Sequence, residues 1–195
     1  MTRGFIYDSD FKPHNISEIV TEGIIVTESD HTAIHKGYGY KGRMEISSLS
    51  SGGTQSWSFT TPSDKYIHFK NMRLNALGAS SKVEFLENVT ITEDIGNQLS
   101  LKQLNLNSDN ISGCVVKESP TYSGGESVDS VDVLIDTTNQ TVGSGQSSGG
   151  LYEEIVLEPD TTYVIKLSNT SSDDTLLKSV IKFFFYEEPE GLFFK

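Results

Sequence analysis

The sequence predicts an all-β protein, an antiparallel β-sandwich of eight to ten strands. Three observations lead there. Short segments alternate apolar and polar side chains with a period of two, no ten-residue segment repeats its apolar positions every 3.6 residues, and stretches rich in Gly, Ser, Thr, Asn and Asp separate the segments. A chain of 195 residues is long enough to bury the core that two packed sheets require.

In chain order, residues 1–20 hold Pro13, few periodic apolar positions and many small polar groups, so they read as an extended N-terminal arm. A sandwich domain over 21–188 and a C-terminal tail over 189–195 follow. Strands are expected at 24–27, 56–60 and 66–74 from their β-branched and aromatic content. In SKVEFLENVTI (81–91), Val83, Phe85, Val89 and Ile91 share one parity while Lys82, Glu84, Asn88 and Thr90 share the other, the mark of a half-buried strand. Residues 99–106 carry a phase conflict, Leu99 and Leu101 against Leu104 and Leu106, which a bulge would reconcile.

Further strands are predicted at 113–118, around Val131, Val133 and Ile135, and at 150–157, 163–168 and 178–187. The last is apolar on both parities through Val180, Ile181, Phe183, Phe184 and Phe185, as a central strand or one covered by a neighbouring subunit would be. Pro159 and Asp160 in EPDTT (158–162) favour a tight turn, which predicts a hairpin over 150–168. The segments 47–56, 119–127, 137–150 and 169–174 read as loops. No helix is predicted, because Pro13 interrupts SDFKPHNISEIV and DDTLLKSV is too short to hold one.

Composition narrows the function classes. Fifteen basic against 27 acidic residues give a formal charge of −12, and along the chain the basic residues form no stripe with interleaved aromatics, so nucleic-acid binding is not expected. No signal-length apolar stretch opens the chain and none is long enough to span a membrane, so neither export nor a membrane partner is predicted. The single cysteine, Cys114, forbids an intrachain disulfide and a cysteine zinc cluster. It lies in an apolar segment and reads as a small hydrophobe.

The segment DHTAIHKGYG (30–39) is the strongest chemical candidate. Its His31 and His35 are four positions apart, but no Glu follows the first, and Gly37 and Gly39 argue against the helix a zinc protease needs. On a strand their rings would stand about 13 Å apart, too far for one ion. The pair, with Tyr38 and Tyr40, therefore reads as scaffolding or subunit contact. No metal and no cofactor is expected. No G-x-S-x-G elbow occurs. Glu153/Glu154 and Glu187/Glu188 point to opposite strand faces and read, like Asp129/Asp132, as solvated charge, so no enzyme is predicted. TSSDDT (170–175) and TESDH (27–31) lack a calcium-loop pattern, and the glycine-rich 143–150 lacks the residues of a phosphate loop. Trp57 and the tyrosines could stack on sugars, although most belong in a core or interface.

The order His31-x-x-Ile34-His35-x-Gly37, WSFTTP (57–62), YIHFKNMRL (66–74), KVEFLENVTI (82–91), LNLNSDNISG (104–113) and SGGLYEEIVLEPDTTYVIKLSNTS (148–171) resembles a family of small bacteriophage virion structural proteins. The resemblance covers about residues 28–187. It implies a jelly-roll-like sandwich without enzymatic activity. It further implies a homotrimeric capsid decoration protein that binds the major capsid protein or another virion protein, assembled in the host cytoplasm and located in the virion. Leu192, Phe193 and Phe194, after the Glu-Pro-Glu break, would act as a docking peg beside an interface that includes His31, His35, Tyr38 and Tyr40. The alternative is a carbohydrate or receptor-binding module of a tail or fibre, using loops near Ser50–Ser56, Tyr122 and Gly143–Gly150.

Overall fold

The computed structural model describes residues 6–7, 13–14, 29–134, 148–151, 154–172 and 174–188. Two short strands, β1 (Ile6–Tyr7) and β2 (Pro13–His14), pair with each other, and a seven-residue helix, α1 (Ser29–His35), leads into the sandwich. The remaining strands are β3 (Gly39–Leu49), β4 (Thr54–Thr60), β5 (Ile67–Leu77), β6 (Ser81–Glu93), β7 (Lys102–Gln103), β8 (Val115–Glu118), β9 (Thr121–Val133), β10 (Ser148–Leu151), β11 (Ile155–Leu157), β12 (Thr162–Asn169) and β13 (Leu177–Glu187).

They pair as a long ladder rolled on itself. β3 pairs with β13, β4 with β12, β5 with the broken strand β10/β11, and β6 with β9. Rolling brings β13 beside β5 and β12 beside β6 as well. The result is two antiparallel sheets, ordered β10/β11-β5-β13-β3-β7 and β8-β4-β12-β6-β9, with the connectivity of a jelly roll. β7 and β8 come from the long connection after β6 and extend one edge of each sheet.

The inward parity of both sheets makes one core. Phe59 sits edge-on to Phe69, Phe183 and Phe185 at ring separations of 5.7, 6.1 and 5.3 Å, a geometry that aromatic quadrupoles favour. Trp57, Met44, Met72, Leu74, Val83, Ile165 and Leu167 complete it, and Cys114 is buried within it. Several expectations need correction. The segment 150–168 is not a hairpin: β11 pairs with β5 and β12 with β4 and β6, so the turn carries the chain from one sheet to the other. Thr61 staples that crossing, donating to the Glu158 carbonyl at 2.7 Å and accepting from the Thr161 amide at 2.9 Å.

Residues 99–106 contribute only the two-residue β7, and their phase conflict is resolved by leaving the sheet. SPTYSGGES is mostly strand, not loop, because β9 runs through Gly124 and Gly125 at φ of +72° and +107°. β3 and α1 were both unforeseen. Strand 24–27, most of the arm 1–20 and the tail 189–195 lie outside the described residues.

Candidate functional site

One end of the sandwich is assembled by α1, the turn that follows it and the 104–113 loop. Gly37, at φ +80°, ends the helix in a left-handed conformation that lacks the usual penalty only for glycine. Its amide donates to the Ile34 carbonyl at 2.9 Å and the Tyr38 amide to that of Ala33 at 2.8 Å, the double bond of a Schellman cap. Gly37 is thus a helix stop rather than an argument against a helix. Gly39 lets the helix approach β3, since a Cβ there would run into Ile34.

The last carbonyls of a helix need donors, and the asparagine-rich loop supplies them. Asn105 Nδ2 donates to the His35 carbonyl at 2.7 Å, Gln103 Nε2 to that of Gly37 at 2.7 Å, and Asn110 Nδ2 to those of Lys36 and Gly37 at 3.3 Å. Pinned this way, the loop presents Leu106 and Ile111 almost fully to solvent, at 93% and 89% exposure. Ile95, at the start of the same connection, is 87% exposed.

Glu187 anchors the loop from below. Its buried carboxylate accepts from Ser112 Oγ at 2.8 Å, the Gly113 amide at 2.7 Å and Lys65 Nζ at 3.2 Å. Burial would lower the Lys65 pKa, but the Glu187 charge outweighs it and holds the ammonium above its ordinary value. Between loop and core lies a cleft of about 220 Å³, lined by Tyr40, Leu99, Leu101, Gln103, Asn110 and Cys114. Burial, and secondarily Glu187, pushes the Cys114 thiol far up, which favours the protonated thiol.

A second polar cluster lies around the β5–β13 pairing. His68 Nδ1 donates to Glu154 Oε1 at 2.5 Å, Tyr186 OH donates to the same oxygen at 3.0 Å, and Lys70 Nζ to Oε2 at 2.7 Å. The His68 ring stacks on Tyr186 at 4.5 Å with 7° between planes, and its Nε2 lies 3.6 Å from Glu188. Partial burial would raise Glu154, but the bonds from Lys70, His68 and Tyr186 hold it below the usual carboxylate value.

Of the residues singled out from sequence, His31 and His35 fall four apart on the helix α1 rather than on a strand. The His31 side chain is outside the described residues, and His35 is exposed. Tyr38 is half-buried under the Lys65 ammonium, 5.8 Å above its ring. Tyr40 is corrected from interface to interior: it is 2% exposed, stacks on Phe185 and donates its hydroxyl to the Gly37 carbonyl. Leu192, Phe193 and Phe194 lie outside the described residues. Glu187 and Glu188 do point apart, but both are buried rather than solvated. Trp57, Tyr163 and Tyr186 are likewise interior and offer no stacking platform for a sugar.

Among the described residues no group of three or more His, Cys, Asp or Glu has the geometry to hold a metal ion, and no helix is long and apolar enough to cross a membrane. Sequence reasoning missed one surface. The outward parity of the β7-β3-β13-β5 stretch places Lys102, Lys41, Arg43, Lys178, Lys182 and Arg73 on one face, all exposed. The stripe that the linear sequence lacks is assembled by strand register. No protein-family model matches the chain, and no curated protein matches it.

Proposed function

We propose that this chain is a non-enzymatic virion structural protein, a capsid decoration protein that docks on the phage head through the end of the sandwich formed by α1 and the 104–113 loop. The observation that carries the reading is the pair Leu106 and Ile111. Both are large, aliphatic and almost wholly exposed on a loop that amide hydrogen bonds hold in place. A rigid loop that displays apolar side chains suits a surface completed by another protein. The jelly-roll connectivity is compatible with the same reading, which otherwise rests on the resemblance of the motif order to that of phage virion proteins.

The test is particle occupancy. The double variant Leu106→Ser, Ile111→Ser removes apolar area from positions that contact little of the core, so it should keep the wild-type circular dichroism and melting temperature. Its affinity for the capsid lattice should fall by at least about tenfold. Wild-type occupancy of particles by this variant would overturn the proposal.

A further inference from the structure

Directly opposed like charges destabilise a strand pair, yet the first sheet keeps them on its outward face. Lys182 on β13 stands opposite Arg43 on β3 and Arg73 on β5, and Lys41 on β3 stands opposite Lys102 on β7. Because Lys41 and Arg43 are two residues apart on one strand, the cations form a continuous zigzag, Lys102-Lys41-Arg43-Lys182-Arg73. Its steps are about 4.8 Å across strands and about 7 Å along one. All of these side chains are exposed. Arg43 pairs with Glu45, and the other four have no acidic partner among the described residues. Acids are nearly missing from the strands that carry the track: β5 and β7 have none, β3 has only Glu45, and the Glu187 of β13 is buried. Phe184 is half-buried on the same face, and its position on β13 pairs with Lys41 on one side and Asn71 on the other.

We infer that this face binds single-stranded nucleic acid. The track is linear, so one pass of a phosphate backbone meets every cation, and each arginine can hold a phosphate through two parallel hydrogen bonds. Beside the track, Phe184 offers a ring to an unstacked base, and the amide of Asn71 offers a donor and an acceptor to a base edge. A lipid headgroup layer or an acidic peptide would neutralise the same cations, but a nucleic acid alone among them supplies phosphates and unstacked rings in alternation. A sheet surface sends no helix or ribbon into a groove, and a duplex keeps its bases stacked away from Phe184, so the single strand is the form that fits. Scattered along the chain, the basic residues count against nucleic acid; strand register gathers them and removes that objection. The formal charge of −12 does not restore it, because charges more than a Debye length away, about 8 Å at physiological salt, are largely screened. This function goes beyond the docking reading and does not rest on it.

The probe is a fluorescein-labelled single-stranded oligonucleotide of mixed sequence, titrated with the full chain and read by anisotropy. At about 0.05 M salt the dissociation constant should be on the order of 10 µM or tighter, and log K should fall with log salt at a slope of about −3, as about four phosphate contacts require. The triple variant Lys41→Ser, Arg73→Ser, Lys182→Ser should weaken binding by at least about tenfold and flatten the slope to about −1. Its melting temperature should hold or rise, because fewer like charges face each other. Phe184→Leu keeps the position apolar and should weaken binding by about fivefold with the slope unchanged. The double variant Leu106→Ser, Ile111→Ser should bind the oligonucleotide as the wild type does, which keeps this result apart from that of the docking test. Absence of binding at low salt, wild-type affinity in the triple variant or in Phe184→Leu, or a duplex of the same sequence bound as tightly as the single strand would overturn the inference. Poly-L-glutamate or phosphatidylserine vesicles bound at least as tightly as the oligonucleotide, and released by the triple variant, would also overturn it and assign the face to an acidic protein or to a membrane.

Discussion

Single side chains decide how the cleft end is held. Glu187 is an acid buried at the close of an apolar strand, with three donors gathered from Lys65, Ser112 and Gly113. Glu187→Gln removes the charge that Lys65 faces and replaces one acceptor oxygen with a donor amide. The expected loss is about 2–4 kcal/mol in urea unfolding, with the 104–113 loop the first segment to gain amide exchange. Glu154 makes a pH prediction. A carboxylate held below its unfolded pKa adds stability that is fully present above the unfolded value and is lost as pH falls through the folded one. Wild-type stability should therefore drop on acidification below about pH 4.5, and the drop should be shallower in Glu154→Gln, as thermal melts across that window would show. None of this was legible beforehand. Glu187 and Glu188 occur as a charged pair near the chain's end, and only the fold reveals that the donors of one lie some seventy positions earlier, at Ser112 and Gly113.

Elements were legible to the extent that their own residues determined them. β6 and β12 were legible because each sends one parity into the core along its central stretch, and that period of two is written in Val83, Phe85, Tyr163, Ile165 and Leu167, although Leu86 and Val164 on the other parity are buried as well. β3 was not legible, because its inward parity reads Tyr40, Gly42, Met44 and the Phe183 ring fills the space above Gly42. A partner strand supplies the apolar group that the sequence of β3 omits. α1 was hidden for a related reason: seven residues cannot hold a helix alone, and its cap donors come from Gln103, Asn105 and Asn110. The helix should therefore be sensitive to its glycines. Gly37→Ala should cost about 2–4 kcal/mol, from backbone strain at its positive φ together with a Cβ that runs into Ser108, and Gly39→Ala about 1–3 kcal/mol because Ile34 must move, both read as shifts in the urea midpoint. The residues 158–162 announced a turn correctly, but turn chemistry reverses a chain without saying which sheet receives it.

At the scale of the whole molecule, parity was enough to predict two packed sheets, while the order of strands within them was not, since ladder partners are chosen by surfaces far apart in the chain. The same register that hides the partners hides the basic face, because Arg43, Arg73 and Lys182 become neighbours only after three strands align. Among the described residues β13 is the last strand of the sandwich in chain order and lies between β3 and β5, so it is central rather than peripheral. During synthesis the two earlier strands have no common neighbour until about residue 187 has left the ribosome, and their apolar faces wait exposed for that arrival. Folding of the sandwich thereby waits for its most distant pairing, that of β13 with β3. Nascent chains halted before Leu177 should be digested as fast as an unfolded polypeptide, and protease resistance should appear in a single step once β13 is available.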